Sequence, residues 1–216
     1  MVLGDIWGLQ FDRFLTEDDF NADGSLKAGL PDQTKVFPAG YQFAPGDVLY
    51  KDLDNNGEIV KQTNTNDKGD LSVIGNALPR LQFGLNLDAA WKGFDISMFF
   101  QGVAKRKLWA AGNQVLPGFT TGEPFYKGAE DYWTPENTDA FYPRPMDYKQ
   151  SASGNYSVND RYLLNMAYLR LKTFTVGYSL PKVWLSKFKV QGLRVYFTGE
   201  NLFTIDGVKP AIDPEI

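Results

Sequence analysis

The run Asp52-Leu53-Asp54-Asn55-Asn56-Gly57-Glu58-Ile59 carries the clearest chemical pattern in the chain. Side-chain oxygens at Asp52, Asp54 and Asn56 alternate as the first ligands of a calcium loop do. Gly57 permits a sharp turn, and Ile59 can anchor the loop to a core. The twelfth position, where an EF-hand places a bidentate Glu, is Thr63 here. Asp67 or Asp70 can complete the shell from farther along. The competing reading is an Asx-rich turn, because Asp and Asn bond their own backbone and tolerate the left-handed region. A second run, Asn21-Ala22-Asp23-Gly24, reads as such a turn.

Most other site chemistry is excluded. The 216 residues include no His and no Cys. Ser-His-Asp and Cys-His catalysis, imidazole zinc sites, thiolate sites and disulfides are therefore ruled out. Glu130, Asp131 and Glu136 lie close to Trp133 in sequence, and carboxylate pairs can hydrolyse glycosides. Nothing fixes their separation, and neighbouring carboxylates in a Pro-rich loop are usually solvated, so no enzyme is expected. A net charge of −4 without a basic stripe argues against a nucleic-acid partner.

Aromatic residues crowd one stretch: Trp109, Phe119, Phe125, Tyr126, Tyr132, Trp133, Phe141, Tyr142 and Tyr148. Such rings can stack on sugars or cover a partner. Most are expected to pack on one another and order a long loop. Trp109, Tyr126, Trp133 and Tyr142 are the candidates for meeting substrate or partner.

These groups must be positioned by strands. From Leu81 to Trp91, Leu81, Phe83, Leu85, Leu87, Ala89 and Trp91 share one side, with Gln82, Asn86 and Asp88 on the other. After Lys92-Gly93 the alternation resumes with Phe94, Ile96, Met98 and Phe100. Period-two alternation around a two-residue turn predicts a hairpin. Five strand-like segments follow from the same reading: 2–11, 81–91, 94–103, 167–178 and 192–203. In the fourth, Leu169 and Leu171 share a face that Phe174 and Val176 do not, and a bulge near Thr173 reconciles them. Pro181 can open a short helix in the fourth connection, with Val183, Trp184 and Phe188 on one side.

The connections are unequal. Long ones span about 12–79 and 104–166, while Lys92-Gly93 and 179–191 are short. Following the chain up and down puts both long connections at one end and both short ones at the other. Outer-membrane barrels have this asymmetry, and strands of about 9–11 residues cross a bilayer with tilt. Most of Asp88, Asp95, Arg170, Lys172, Arg194 and Glu200 alternate away from the apolar rows, as lumen-facing residues should. Trp91, Phe94 and Tyr178 suit an interfacial girdle. No apolar run reaches the roughly 18 residues of a spanning helix, and barrel strands would leave none. The segment MVLGDIWGLQF lacks the basic start and apolar core of a signal peptide. The expected fold is all-β: antiparallel strands forming part of a transmembrane β-barrel, with two long extracellular loops. About five strands cannot close a barrel, which needs about eight, so a fragment is expected.

Several stretches then resemble the C-terminal portion of SusC/RagA-type TonB-dependent outer-membrane proteins of Bacteroidetes. They are GDVLYKDLDNNGEI (46–59), SVIGNALPRLQFGLNLDAAWKGFDISMFFQGV (72–103), DYWTPENTDAFYPR (131–144), YLRLKTFTVGYSLP (168–181), LRVYFTGENLFT (193–204) and DPEI (213–216). They occur in the family's order. The resemblance implies a barrel of about 22 strands importing glycans or peptides across the outer membrane. It implies a plug, TonB acting through an N-terminal part, and a SusD-like surface lipoprotein as partner. A DxNxDG-like run is frequent in the family, which adds to the calcium reading. The alternative is a soluble β-rich module that binds carbohydrate.

Overall fold

The computed structural model describes residues 2–62, 66–119, 126–146, 154–209 and 212–215. Thr63, Phe125 and Tyr148 lie outside the described residues, as does the side chain of Phe188. The strands are β1 (Asp5–Gly8), β2 (Phe11–Phe14), β3 (Val48–Tyr50), β4 (Ser72–Asn76), β5 (Leu81–Trp91) and β6 (Phe94–Ala104). They continue with β7 (Lys107–Leu108), β8 (Leu164–Asn165), β9 (Tyr168–Ser179) and β10 (Arg194–Asp206). A short helix, α1 (Lys182–Leu185), lies between the last two. The chain forms two compact units. One comprises Met1–Leu78, Lys107–Leu164 and Lys209–Ala211; the other comprises Pro79–Arg106, Asn165–Val208 and Ile212–Ile216.

The second unit is a four-stranded antiparallel meander in the order β10-β9-β6-β5. Lys92 and Gly93 both take positive φ, the geometry of a tight hairpin turn whose twist matches the strands. Leu81 pairs with Ala104 and Trp91 with Phe94, so the predicted hairpin has the expected register. The predicted bulge is present. Thr173 pairs with Phe99 and Leu171 with Phe100, which leaves Lys172 as the extra residue. A matching shift in β10, between Glu200 and Phe203, places Asn201 at φ 51°. These two irregularities return Leu169, Leu171, Phe174, Val176 and Tyr178 to one face.

The first unit is a loop domain with its own core. Leu9, Val36, Val48, Ile59 and Ala140 are fully or almost fully buried, with Phe14, Phe37, Tyr50 and Trp133 packed among them. Here the sequence reading needs correction. The predicted strand 2–11 ends early: β1 pairs with β4, and Phe11 is already the first residue of β2, which pairs with β3. Among the described residues neither pairs with the long meander, which therefore has four strands where about five were expected in all. The break occurs at Gly8-Leu9. A Cβ at Gly8 would lie 2.5 Å from Ile74 Cδ1 and 2.7 Å from the Val158 carbonyl. That close passage draws Leu9 inward, where its N–H donates to Val158 O at 2.9 Å.

Candidate functional site

The meander has two chemically opposite faces. One carries Leu81, Phe83, Leu85, Leu87, Phe94, Val195, Phe197, Phe203 and Ile205, all exposed. Val195, Phe197 and Ile205 are each 61% exposed. A continuous apolar sheet face of this kind marks a surface evolved to meet apolar surroundings. The aromatic edge is present too: the Phe94 and Tyr178 rings lie 4.5 Å apart.

The opposite face is polar and internally paired. Arg194 donates to Asp95 through Nε at 3.0 Å, crossing over Gly177, where a Cβ would lie 2.5 Å from Arg194 Nη2. The hydroxyls of Thr175 and Thr198 bond at 3.0 Å. Arg170 donates to Asp213 and Glu215, both at 2.8 Å, and Lys172 donates to Glu215 at 2.9 Å. Arg170 thereby holds Asp213 below the usual carboxylate range, and Lys172 does the same for Glu215. The parity of Arg170 was legible in sequence. Its acceptors, 43 and 45 residues away, were not.

The Asp-rich loop folds as an Asx turn with an acidic cluster inside it. Carboxylate oxygens of Asp52, Asp54 and Asp70 lie within 4.8 Å of one another. Asp70 is fully buried and accepts the N–H groups of Leu53 and Val60 at 2.8 and 2.7 Å. Asp52 accepts Gly57 N–H at 2.7 Å, and Asp54 accepts Asn56 N–H at 3.1 Å. Asn56 Oδ1 accepts Glu58 N–H at 2.8 Å, and Asp70, expected to complete the shell from farther along, joins Asp52 and Asp54 in the cluster. Desolvation and the neighbouring carboxylates of Asp52 and Asp70 raise the Asp54 carboxyl above its ordinary value. At Asp52 desolvation opposes ionisation, but the N–H groups of Gly57 and Asn55 outweigh it and lower the pKa.

The four aromatic candidates do not share one surface. Trp133 and Tyr142 are in the interior, Trp109 is half-buried and Tyr126 is exposed. Trp133 packs over Gly46, and its backbone N–H donates to Tyr142 O at 3.0 Å. The Tyr142 hydroxyl donates to Val115 O at 2.9 Å, and burial pushes its pKa up to about 12. Its ring stacks on Tyr162 at 6.0 Å. Tyr126 and Tyr142 also border a cavity of about 710 Å³, with Tyr132, Tyr156 and Pro117. The cavity wall is thus aromatic, but most rings nearby serve the core.

Sequence reading missed the residue that ties the loop unit together. Asp47 is fully buried. It accepts Arg144 Nε at 2.8 Å, the Tyr41 hydroxyl at 2.8 Å, Asn155 Nδ2 at 2.9 Å and Ala44 N–H at 2.9 Å. An acid beside a Gly at 46 and ahead of the apolar triplet Val48–Tyr50 was the available signal, since such an acid needs a distant cation.

No family model matches the chain. TonB-dependent receptor P3 of Formosa agariphila is 33% identical over 177 residues, covering 79% of this chain and 16% of that protein. TonB-dependent receptor P26 of the same organism is 34% identical over 166 residues, covering 75% and 16%. TonB-dependent receptor SusC of Bacteroides thetaiotaomicron is 25% identical over 210 residues, covering 93% and 20%. The solved RagAB peptide transporter aligns with 98% of this chain and 20% of its own, at TM-score 0.61 and 19% identity, which shows a shared fold. The RagAB importer in its open-open state aligns at TM-score 0.58. The chain spans a fifth or less of the length of these relatives. By sequence and by fold, it is related to a segment of the SusC/RagA-type TonB-dependent receptors.

Proposed function

We propose that this chain supplies barrel wall and extracellular loops to a TonB-dependent importer in the outer membrane, as the C-terminal part of its barrel. The observation that carries the reading is the two-faced meander. Its strands of 11, 11, 12 and 13 residues are long enough to cross a bilayer with tilt. Its apolar face suits acyl chains and its ion-paired face suits a wet lumen. Open edges on β5 and β10 cannot stand in hydrocarbon, so neighbouring strands come from the rest of the barrel. The connections at about 12–79 and 104–166 then form the extracellular loops that meet cargo and a SusD-like lipoprotein. The plug and the TonB-contacting part lie elsewhere in the protein. The cargo is an oligosaccharide or a peptide. The peptide alternative draws on the RagAB neighbours, which are described as a peptide importer.

The test is charge placement. Phe197→Arg, on the apolar face, should cost about 2–4 kcal/mol of barrel stability in bilayers, whereas Thr198→Arg on the polar face should cost far less. Equal effects, together with a detergent-free monomeric chain, would support a soluble carbohydrate-binding module instead.

We also propose that Asp52, Asp54 and Asp70 hold a calcium ion. Carboxylates this close repel one another, and a hard divalent cation relieves that repulsion through oxygen ligands. Isothermal titration of the full chain with calcium should give a binding heat that Asp54→Ala abolishes. The same heat from both proteins removes the idea.

A further inference from the structure

The short-turn end of the meander carries four lysines. Lys92 lies in the β5–β6 turn, and Lys182, Lys187 and Lys189 lie in the β9–β10 connection. All four are exposed. The two connections are joined where Ser179 N–H donates to Gly93 O at 2.8 Å, and Leu180 N–H closes the β9–β10 connection by donating to Leu193 O at 2.9 Å. The lysines therefore belong to one rim. Residues 91–94 and 179–193 contain no acid. The acid nearest the turn, Asp95, is neutralised by Arg194. Among the described residues, Arg170, Lys172 and Arg194 on the polar face are ion-paired, and the salt bridges include none of the four rim lysines.

Apolar side chains accompany these charges. Trp91, Val183 and Trp184 are 69%, 75% and 60% exposed. Leu185, on the same short helix, is buried. The Lys92 amine lies 4.7 Å over the Trp91 ring, so charge and ring occupy one level.

We infer that this rim binds the phosphate groups of anionic phospholipids, with Trp91 and Trp184 at the headgroup boundary. The inference rests on the membrane-wall reading and adds a lipid preference to it. Tryptophan favours the headgroup level, and lysine stems lie along apolar surface while their amines reach outward. A rim of uncompensated positive charge complements a leaflet with net negative charge and gains little from a zwitterionic one. Each such lysine contributes roughly a fivefold gain in association with an anionic surface.

The test uses the chain within its assembled barrel, reconstituted in vesicles of phosphatidylcholine with or without phosphatidylglycerol. The chain has no cysteine. A bimane dye on Val183→Cys therefore places a probe on the rim, read by quenching with brominated lipid of either class. A lipid at the probe meets one rim lysine at a time, so brominated phosphatidylglycerol should half-quench at about a fivefold lower mole fraction than brominated phosphatidylcholine. Replacing the four lysines with Gln should bring that ratio to one without changing quenching by phosphatidylcholine. Replacing them with Arg should keep the preference. Equal quenching of the unsubstituted rim by the two lipids overturns the inference, as does a preference that survives Lys→Gln. Quenching by neither lipid overturns the membrane-wall reading itself, and the inference with it.

Discussion

Replacing Asp47 with asparagine should loosen the loop unit by about 3 kcal/mol. The substitution preserves shape and removes charge. The buried carboxylate now accepts from Arg144 twice, at 2.8 and 3.2 Å, and from Tyr41, Asn155 and Ala44. Asparagine keeps one acceptor oxygen and turns an NH₂ group toward donors, so at least two donors lose their partner. Breaking a buried ion pair from one side costs about 3–5 kcal/mol. The lower end applies here, because the Arg144 side chain retains 23% exposure and water can reach part of its guanidinium. Hydrogen exchange on the full chain is the assay. Amides at 44–50 and 154–159 should exchange about a hundredfold faster, because this network joins them and Val48 N–H itself donates to Asn155 Oδ1 at 2.7 Å. Amides of the meander should be unaffected. A cycle with Arg144→Met should show a coupling of about 2 kcal/mol. Acceleration below about fivefold, or strict additivity, would refute the view that Asp47 organises the loops.

Three further outcomes follow from local geometry. Gly46→Ala should cost roughly 2–4 kcal/mol, measured by thermal unfolding of the loop unit. Gly46 sits at φ 90°, and a Cβ there would lie 2.5 Å from the Trp133 ring. Asp19 is held down to about 2 by its paired bonds to Arg13, at 2.6 and 2.7 Å. Its folded pKa lies below its unfolded one, so this contribution is present above about pH 4 and is lost as pH falls toward 2. It should amount to about 1–2 kcal/mol, discounted because the Arg13 side chain is 43% exposed, and Asp19→Asn should flatten the acid unfolding curve in that window. Arg170→Met should release the C-terminal residues Asp213 and Glu215, seen as faster exchange at the Glu215 amide, which now donates to Asp213 at 2.9 Å.

The sequence by itself determined the faces of the long strands. Alternation from Leu81 to Phe100 assigned each residue a face, because strand geometry sends successive side chains to opposite sides. Lys92-Gly93 marked the turn, and the broken parity of Leu169 and Phe174 marked a bulge, since only an extra residue restores one face. The Asp52 run announced its turn through side chains that bond their own backbone. Tertiary structure decided what those local rules do not reach. It ended the predicted strand 2–11 at Gly8, with Phe11 opening β2, because Gly8 passes against Val158 and Leu9 is needed in the core. It brought Asp70 beside Asp52 and Asp54, and buried Trp133 and Tyr142, two of the candidates for meeting substrate or partner. It joined Asp47 to Arg144 across 97 residues. The physical reason is common to all of these. A strand's faces follow from backbone geometry within a few residues, whereas the partner of a buried charge or the depth of a ring depends on which distant segments exclude water from it.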